Sequence, residues 1–304
     1  MKDNIDLNFK MDFKMDFDAF LRSFKQNKDS SFAFLLGAGA SITSGVQSAE
    51  DCIWDWKKLI YLSNNPTNDT FIDIHTDFCR KRIQTWLDEQ GCYPKEKSDE
   101  EYVFYAENTF PFSGDRTKYF KDLSSDKIPN IGYKLLCLLH KYGVLKSVWT
   151  TNFDGLIERA AHQANRTPIS INLDNPTRIY QTENTQDLLY IALHGDYKYS
   201  ALKNTAKELD SQQETFSNRL KEYFVDRNLI VIGYSGRDKS LMKSLTEAFS
   251  HPGAGRLYWC GYGGNITPEV QELITNIRKV GRTAYYIDAD GFDNIMLSLM
   301  KYCY

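Results

Sequence analysis

Short apolar runs alternate along this chain with amphipathic stretches, a pattern typical of an α/β fold. Runs such as FAFLL and LIVI are apolar without interruption, as expected for parallel strands that are covered on both faces. We therefore predict a Rossmann-like parallel sheet flanked by helices. The predicted strands are Phe32–Leu36, Leu145–Thr150, Leu188–Leu193, Leu229–Ile232, Arg256–Cys260 and Thr283–Ile287.

Helical periodicity fills most of the intervals between these strands. Thr267 followed by Pro268 is a typical helix start, with a capping hydroxyl before a proline in the first turn. The predicted helices of the core are Asp154–Gln163, Gln212–Arg227, Lys239–Phe249, Pro268–Val280 and Phe292–Tyr302.

The interval from Ile60 to Gly143 has helical patterns and no convincing strand. Its predicted helices are Asp77–Gln90, Asp99–Asn108 and Ile131–Tyr142. We therefore predict one domain over residues 1–304, with a Rossmann-like core at 28–60 and 144–304 and a helical insert at about 61–143. Because the chain ends in an amphipathic helix without a polar tail, we expect it to be the N-terminal effector part of a longer chain.

The charge balance limits the possible partners. Lys and Arg number 37 against 40 Asp and Glu, which argues against a protein that coats nucleic acid or an anionic membrane. The basic cluster Arg80–Arg82 is more simply explained as a solvated helix face. No apolar run reaches the roughly 20 residues that span a bilayer, and the N-terminus carries acids where a signal peptide needs an apolar segment. We expect a soluble, cytoplasmic protein.

The six cysteines are scattered, and no C-x-x-C pair occurs among them. Zinc modules and disulfide frameworks both depend on regular cysteine spacing. We therefore expect reduced thiols and no bound metal.

Unusual residues follow four of the predicted strands. In open α/β sheets ligands bind beyond the carboxyl ends of the strands, so these loops should converge. The four segments are Gly37–Gly45 (GAGASITSG), Thr150–Asp154 (TTNFD), His194–Asp196 (HGD) and Gly233–Asp238 (GYSGRD).

Each segment also has an ordinary explanation. A G-x-G turn after a strand is often only structural, and Asn or Asp in such loops often caps the next helix. A single histidine at a strand end is usually structural too. A dehydrogenase fingerprint needs a glycine where Ile42 stands, and a phosphate-binding P-loop needs one at Asp238. Both of those classes are therefore disfavoured.

Taken together and in this order, the four segments resemble the sirtuin-like family, the silent-information-regulator type of NAD-consuming domain. They are spread over about 200 residues. The resemblance implies an NAD site on the sheet, with Asn152 and His194 at the nicotinamide-ribose end and the two glycine-rich loops around the phosphates and adenosine. The residues it implies for NAD binding are Gly37, Ala38, Gly39, Ala40, Ser41, Gly45, Thr151, Gly233, Ser235 and Asp238.

Two departures separate this sequence from deacetylating sirtuins. The two C-x-x-C pairs of the sirtuin zinc module are missing, so the helical insert is expected to replace that module. The usual Gly-Ile-Pro-Asp-Phe-Arg segment is replaced by Gly45–Glu50 (GVQSAE). The pattern looks closer to bacterial sirtuin-like NAD hydrolases of anti-phage defence.

That resemblance implies abortive infection through NAD depletion, a homo-oligomer, and a sensor or nucleotide-triphosphatase region in the full-length chain or a partner. Two alternatives stay open. The chain could be a module that senses NAD or ADP-ribose without hydrolysing it, or a protein deacylase.

Hydrolysis of NAD makes modest chemical demands. Nicotinamide leaves as a neutral base, so no acid has to protonate it, and the transition state should resemble an oxocarbenium ion. The Asn152 amide can orient ribose and water, and neutral His194 can accept a proton. Asp154 can order the Asn152 loop or contribute a negative field. Asp196 could orient His194, although a salt bridge or a cap is the commoner role.

Overall fold

The computed structural model describes residues 13–66, 72–98, 100–152, 154–172, 186–193, 218, 220–264 and 266–303. The chain divides into two compact units, the first formed by Met1–Gly45 with Lys127–Tyr304 and the second by Val46–Asp126.

The first unit is built on an eight-stranded sheet in the order β1-β8-β7-β6-β2-β3-β5-β4. Every pair of neighbouring strands is parallel, which confirms the predicted fold class. The strands are β1 Lys14–Met15, β2 Phe32–Leu36, β3 Leu145–Thr150, β4 Thr167–Asn172, β5 Asp187–Ala192, β6 Asn228–Ile232, β7 Leu257–Gly261 and β8 Ala284–Asp288.

Helices pack against this sheet within the first unit. Of the predicted starts, Thr267 caps its helix as expected, because its hydroxyl accepts a hydrogen bond from the Val270 N–H. The helices of this unit are α1 Phe17–Gln26, α6 Ile131–Lys141, α7 Leu156–Gln163, α8 Lys239–Ala248, α9 Pro268–Lys279 and α10 Gly291–Cys303. Of the predicted helix Gln212–Arg227, residues 212–217 and 219 lie outside the described residues, and residues 220–224 are helical as predicted.

The central strands explain why the apolar runs were easy to recognise. All five residues of β2 and all five of β6 are buried, because a parallel strand in the middle of the sheet is covered on both faces. The strands missing from the sequence prediction are β1 and β4, at the two edges of the sheet. β1 has only two residues, and β4 contains Pro168, which only an edge strand tolerates well.

The second unit contains the helices α2 Ala49–Asn64, α3 Asp77–Gln90, α4 Glu101–Thr109 and α5 Ser113–Ser124. No strand occurs among its described residues, as predicted for the insert. Its core is rich in aromatic side chains and also holds Lys57, which is 1% exposed and paired with Glu101 at 2.5 Å. Gln84 accepts a second hydrogen bond from the Lys57 ammonium group at 2.8 Å, so the buried charge is paired.

The division between the units differs from the predicted limits of the insert. Helix α2 lies in the second unit, although the prediction placed its first part in the core. Helix α6 lies in the first unit, although the prediction placed it in the insert. The physical reason is that α6 packs on α10, where Asp293 accepts a hydrogen bond from the Gly132 N–H at 2.8 Å.

Among the residues that the structure describes, no helix is long and apolar enough to cross a bilayer.

Candidate functional site

Three of the four candidate loops lie side by side at the carboxyl edge of the sheet. Strand β2 stands between β6 and β3, so the loops after these three strands are neighbours. The chain runs from β2 to β3 on one side and later returns to β6 on the other side. This reversal is the topological switch point at which open α/β sheets bind ligands.

The two glycine-rich loops are in direct backbone contact. The Gly37 N–H donates to the Ile232 carbonyl at 3.0 Å, and the Gly39 N–H donates to the Gly233 carbonyl at 2.9 Å. A Cβ atom added to Gly39 would lie 2.8 Å from the Gly233 Cα, and one added to Gly233 would lie 2.8 Å from the Gly39 carbonyl carbon. Because Gly39 and Gly233 have no side chains, the two loops can approach each other closely. This role of the two glycines does not depend on a ligand.

This contact leads to a prediction about stability. Gly233→Ala should lower the free energy of unfolding because the new methyl group collides with the first loop, which typically costs about 1–3 kcal/mol, and because φ is positive. Gly263→Ala is the matched control, since both glycines have φ +69° but nothing lies within 4 Å of a Cβ atom at Gly263. Chemical denaturation measures both variants. Equal losses for the two would show that the loop contact is unimportant.

Asn152 is held firmly through its backbone and its side chain. Its N–H donates to the Thr150 hydroxyl at 3.0 Å, and the Thr150 hydroxyl donates to the Leu36 carbonyl at 3.1 Å. The Asn152 Nδ2 donates to the Gly37 carbonyl and to the Ser41 Oγ, both at 3.0 Å. Both amide hydrogens are thereby used within the protein. The atom of this half-buried amide that remains for a ligand is the acceptor Oδ1.

Ser41 and Asp154 lie below this amide, away from solvent. Ser41 is 0% exposed and Asp154 is 7% exposed. The Ser41 hydroxyl donates to the Asp154 Oδ2, and the Asp154 Oδ1 accepts from the Leu156 N–H at 2.9 Å. Asp154 therefore binds the first N–H group of α7, whose N-cap residue is Gly155, and also anchors the first loop. Burial raises the pKa of the Asp154 carboxyl group, against the opposing effects of the Ser41 and Leu156 hydrogen bonds.

The remaining residues implied for NAD binding are spread over the same three loops. Ala38, Gly45 and Ser235 are exposed, Gly39, Thr151 and Asp238 are half-buried, and Gly37 and Ala40 are buried. The Thr151 N–H donates to the Leu36 carbonyl at 3.1 Å. Asp238 caps α8, because its Oδ1 accepts from the Leu241 N–H at 3.1 Å. The structure thus brings these residues to one edge of the sheet.

The fourth candidate loop lies outside the described residues, which end just before it at Leu193. Leu193 follows β5, and its N–H donates to the carbonyl of Thr150 at 2.8 Å. Thr150 is the last residue of β3 and lies two residues before Asn152. His194, Gly195 and Asp196 lie outside the described residues, as does Phe153.

One residue of this site was not found by sequence reasoning. Tyr133 of α6 is 1% exposed, and its hydroxyl lies 2.8 Å from the Ser41 Oγ. In the sequence it looks like any aromatic residue on the buried face of a helix. It lies 92 positions from Ser41, so no local pattern could link the two.

Comparison with known families agrees with this geometry. Residues 146–280 match the family model described as SIR2-like domain. This segment begins in β3 and ends after α9, so it includes Asn152, Asp154 and Gly233. This part of the chain is therefore similar to a SIR2-like, that is a sirtuin-like, domain.

Two solved structures are also similar to this chain. One comes from work on the structural basis of sirtuin substrate affinity, with 16% identity over 93% of this chain and 97% of that chain and a TM-score of 0.42. The other is a mutant Sir2 homologue in complex with 2′-O-acetyl ADP ribose, with 14% identity over 93% and 95% of the two chains and a TM-score of 0.44. A comparison with curated proteins gives no match.

Proposed function

We propose that this chain is an NAD hydrolase that cleaves NAD to nicotinamide and ADP-ribose. The observation that carries the proposal is the anchored Asn152 amide at the switch point of a SIR2-like domain. Because both of its N–H groups are used within the protein, the amide presents only an acceptor to a ligand. An acceptor there can bind the hydrogens of the attacking water or of a ribose hydroxyl.

The reaction needs one bond to break and one to form. The bond between the ribose C1′ and the pyridinium nitrogen breaks, and its electron pair goes to the nitrogen, so nicotinamide leaves neutral. The oxygen of water then bonds to C1′, and the water loses a proton to a base. By analogy with glycoside hydrolysis, positive charge develops on the ribose in the transition state.

Asn152 is the residue that would contact the reacting groups. Its fixed orientation lets it hold water or ribose in place without paying an ordering cost during the reaction. Ser41 and Asp154 are buried, so we assign them to positioning of Asn152 rather than to contact with NAD. The Asp154 charge would in addition stabilise positive charge on the ribose through its field.

His194 is our candidate for the base. It follows Leu193, whose hydrogen bond to Thr150 brings the end of β5 beside the Asn152 loop. A neutral imidazole within reach of the attacking water can accept its proton. The glycine-rich loops after β2 and β6 would then hold the pyrophosphate through backbone N–H groups. Each of these loops has an exposed residue, Ala38 in the first and Ser235 in the second.

The biological role that we propose is NAD depletion in anti-phage defence, within an oligomer and under the control of a sensor or nucleotide-triphosphatase region. It rests on the resemblance of the four loops to bacterial defence hydrolases. Expression of the protein in infected bacteria should lower cellular NAD, while an Asn152→Ala variant should leave it unchanged.

Incubation of the purified chain with NAD, with and without an acetylated lysine peptide, tests the proposed reaction. We expect nicotinamide release from NAD alone, and no increase when the peptide is added. Binding of NAD without release would favour a sensing module instead. Release that requires the peptide and gives an acylated ADP-ribose would favour a deacylase.

A further inference from the structure

Tyr133 is fixed below the candidate site by its ring and its hydroxyl group. Its side chain is buried, and its ring meets the ring of Phe292 on α10 at a centroid distance of 5.0 Å. Its hydroxyl lies 2.8 Å from the Ser41 Oγ. Burial raises the pKa of the Tyr133 hydroxyl well above its ordinary value, so the group keeps its hydrogen at neutral pH.

The direction of the hydrogen bond between Tyr133 and Ser41 follows from a count of hydrogens. Ser41 has one hydroxyl hydrogen, and it is donated to Asp154. Tyr133 must therefore be the donor to the Ser41 Oγ. Asn152 Nδ2 donates to the same oxygen at 3.0 Å, so Ser41 donates once and accepts twice. Tyr133 and Asn152 thus fill both acceptor positions of the Ser41 hydroxyl.

The helix that carries Tyr133 is held in place next to the first loop. On α10, the Asp293 Oδ1 accepts from the Gly132 N–H at 2.8 Å, and its Oδ2 accepts from the Asn130 Nδ2 at 2.9 Å. The Asn130 N–H in turn donates to the Ser44 Oγ at 3.0 Å. The start of α6 is thereby tied both to α10 and to the loop that contains Ser41.

We propose that Tyr133 is a positioning residue for the reaction at Asn152. By donating to Ser41, it leaves the Ser41 hydroxyl a single orientation, in which that group donates to Asp154 and accepts from Asn152. The Asn152 amide then keeps its hydrogens directed into the protein and its Oδ1 as the acceptor for water or ribose. This inference rests on the proposed function, because positioning matters only if Asn152 takes part in catalysis.

The proposal is tested by removing the hydroxyl group of Tyr133. Tyr133→Phe should lower kcat for NAD hydrolysis about 10–100-fold, since small misplacements of a positioned group have effects of this order, while KM changes by less than about 3-fold. Tyr258→Phe is the matched control, because Tyr258 is also 1% exposed and its hydroxyl also lies near a serine oxygen, at 2.9 Å from the Ser23 Oγ. This control should keep the wild-type kcat.

A double-mutant cycle tests whether Tyr133 acts through Ser41. Ser41→Ala should lower kcat at least as much as Tyr133→Phe, and adding Tyr133→Phe to Ser41→Ala should cause less than about a further 2-fold loss. If the two losses in kcat instead multiply in the double variant, as they do for independent residues, the proposal is overturned. A Tyr133→Phe kcat within about 3-fold of the wild type would also overturn it. If Tyr133→Phe melts below the assay temperature, Ser41→Ala decides alone, and an unchanged kcat there overturns the proposal.

A measurement without substrate separates this inference from the proposed function. The side-chain amide hydrogens of Asn152 can be followed by NMR and identified by their loss in Asn152→Ala. They should exchange with water at least about 10-fold faster in Tyr133→Phe than in Tyr258→Phe, because the Ser41 acceptor is less fixed. If the wild type does not hydrolyse NAD, the proposed function fails and this comparison still decides. Equal exchange rates in the two variants would overturn the positioning role.

Discussion

Replacement of Asn152 by alanine should lower kcat for NAD hydrolysis about 10²–10⁴-fold while the fold is kept. We expect so large an effect because the variant loses the acceptor that orients water and ribose, and orientation accounts for a large part of enzymatic rate enhancement. The Ser41 and Gly37 groups that bind the amide would also lose a partner, and we expect a modest loss of stability from this. Steady-state kinetics together with thermal melting measures both effects.

Asn27→Ala is the matched control for this variant. Asn27 is also half-buried and also donates from its Nδ2 to a backbone carbonyl, that of Ser23 at 2.7 Å. It lies before β2 begins, at the opposite edge of the sheet from the candidate site. Asn27→Ala should therefore cost some stability without lowering kcat. A folded Asn152→Ala variant with the wild-type kcat would remove Asn152 from the mechanism.

Replacement of His194 by alanine should also lower kcat about 10²–10⁴-fold, the range typical for loss of a general base. Much of the affinity for NAD should remain, because the glycine-rich loops are unchanged. Wild-type activity should fall on acidification through roughly pH 6–7, since a protonated imidazole cannot accept a proton. A pH–rate profile and calorimetric titration with NAD measure these effects.

The exposed His251 offers a control for the histidine variant. His251→Ala should leave both the rate and the pH profile unchanged, because His251 lies on the surface beside Ser250. The losses from His194→Ala and Asn152→Ala should not add, since both residues would serve one transition state. If folded His194→Ala hydrolyses NAD at close to the wild-type rate, His194 is a structural residue.

The predictions from the sequence were most accurate where one residue pattern had one physical explanation. The uninterrupted apolar run of β2 gave the observed limits, because a central parallel strand is buried on both faces. The edge strands were missed, because β1 is short and β4 carries Pro168. Parallel strands also bring their carboxyl ends to one edge, so the convergence of the loops after β2, β3 and β6 was predictable.

Contacts between distant segments could not be predicted in this way. Sequence reasoning assigned Gly39 to a phosphate, whereas the structure also gives it the backbone of Gly233 as a close neighbour. The burial of Ser41 between Tyr133 and Asp154 depends on the packing of α6 on the first loop. These contacts join residues that are 92, 113 and 194 positions apart, and no spacing rule within one segment describes them.

The extent of the helical insert also depends on contacts between distant segments. Periodicity assigned α6 to the insert, because a helix pattern does not tell which partner the helix packs against. Asp293 on α10 ties α6 to the sheet-containing unit. The assignment of a helix to a unit therefore required the tertiary contacts, although the helix itself was correctly predicted.

The most direct test of the central claim is the product balance of NAD breakdown by the purified chain, with no peptide present. Nicotinamide and ADP-ribose should form in equal amounts, over many turnovers, until the NAD is consumed, and the Asn152→Ala variant should form neither at a comparable rate. Chromatography and mass spectrometry identify both products. Stable binding of NAD by the folded wild type without release of nicotinamide would contradict the account.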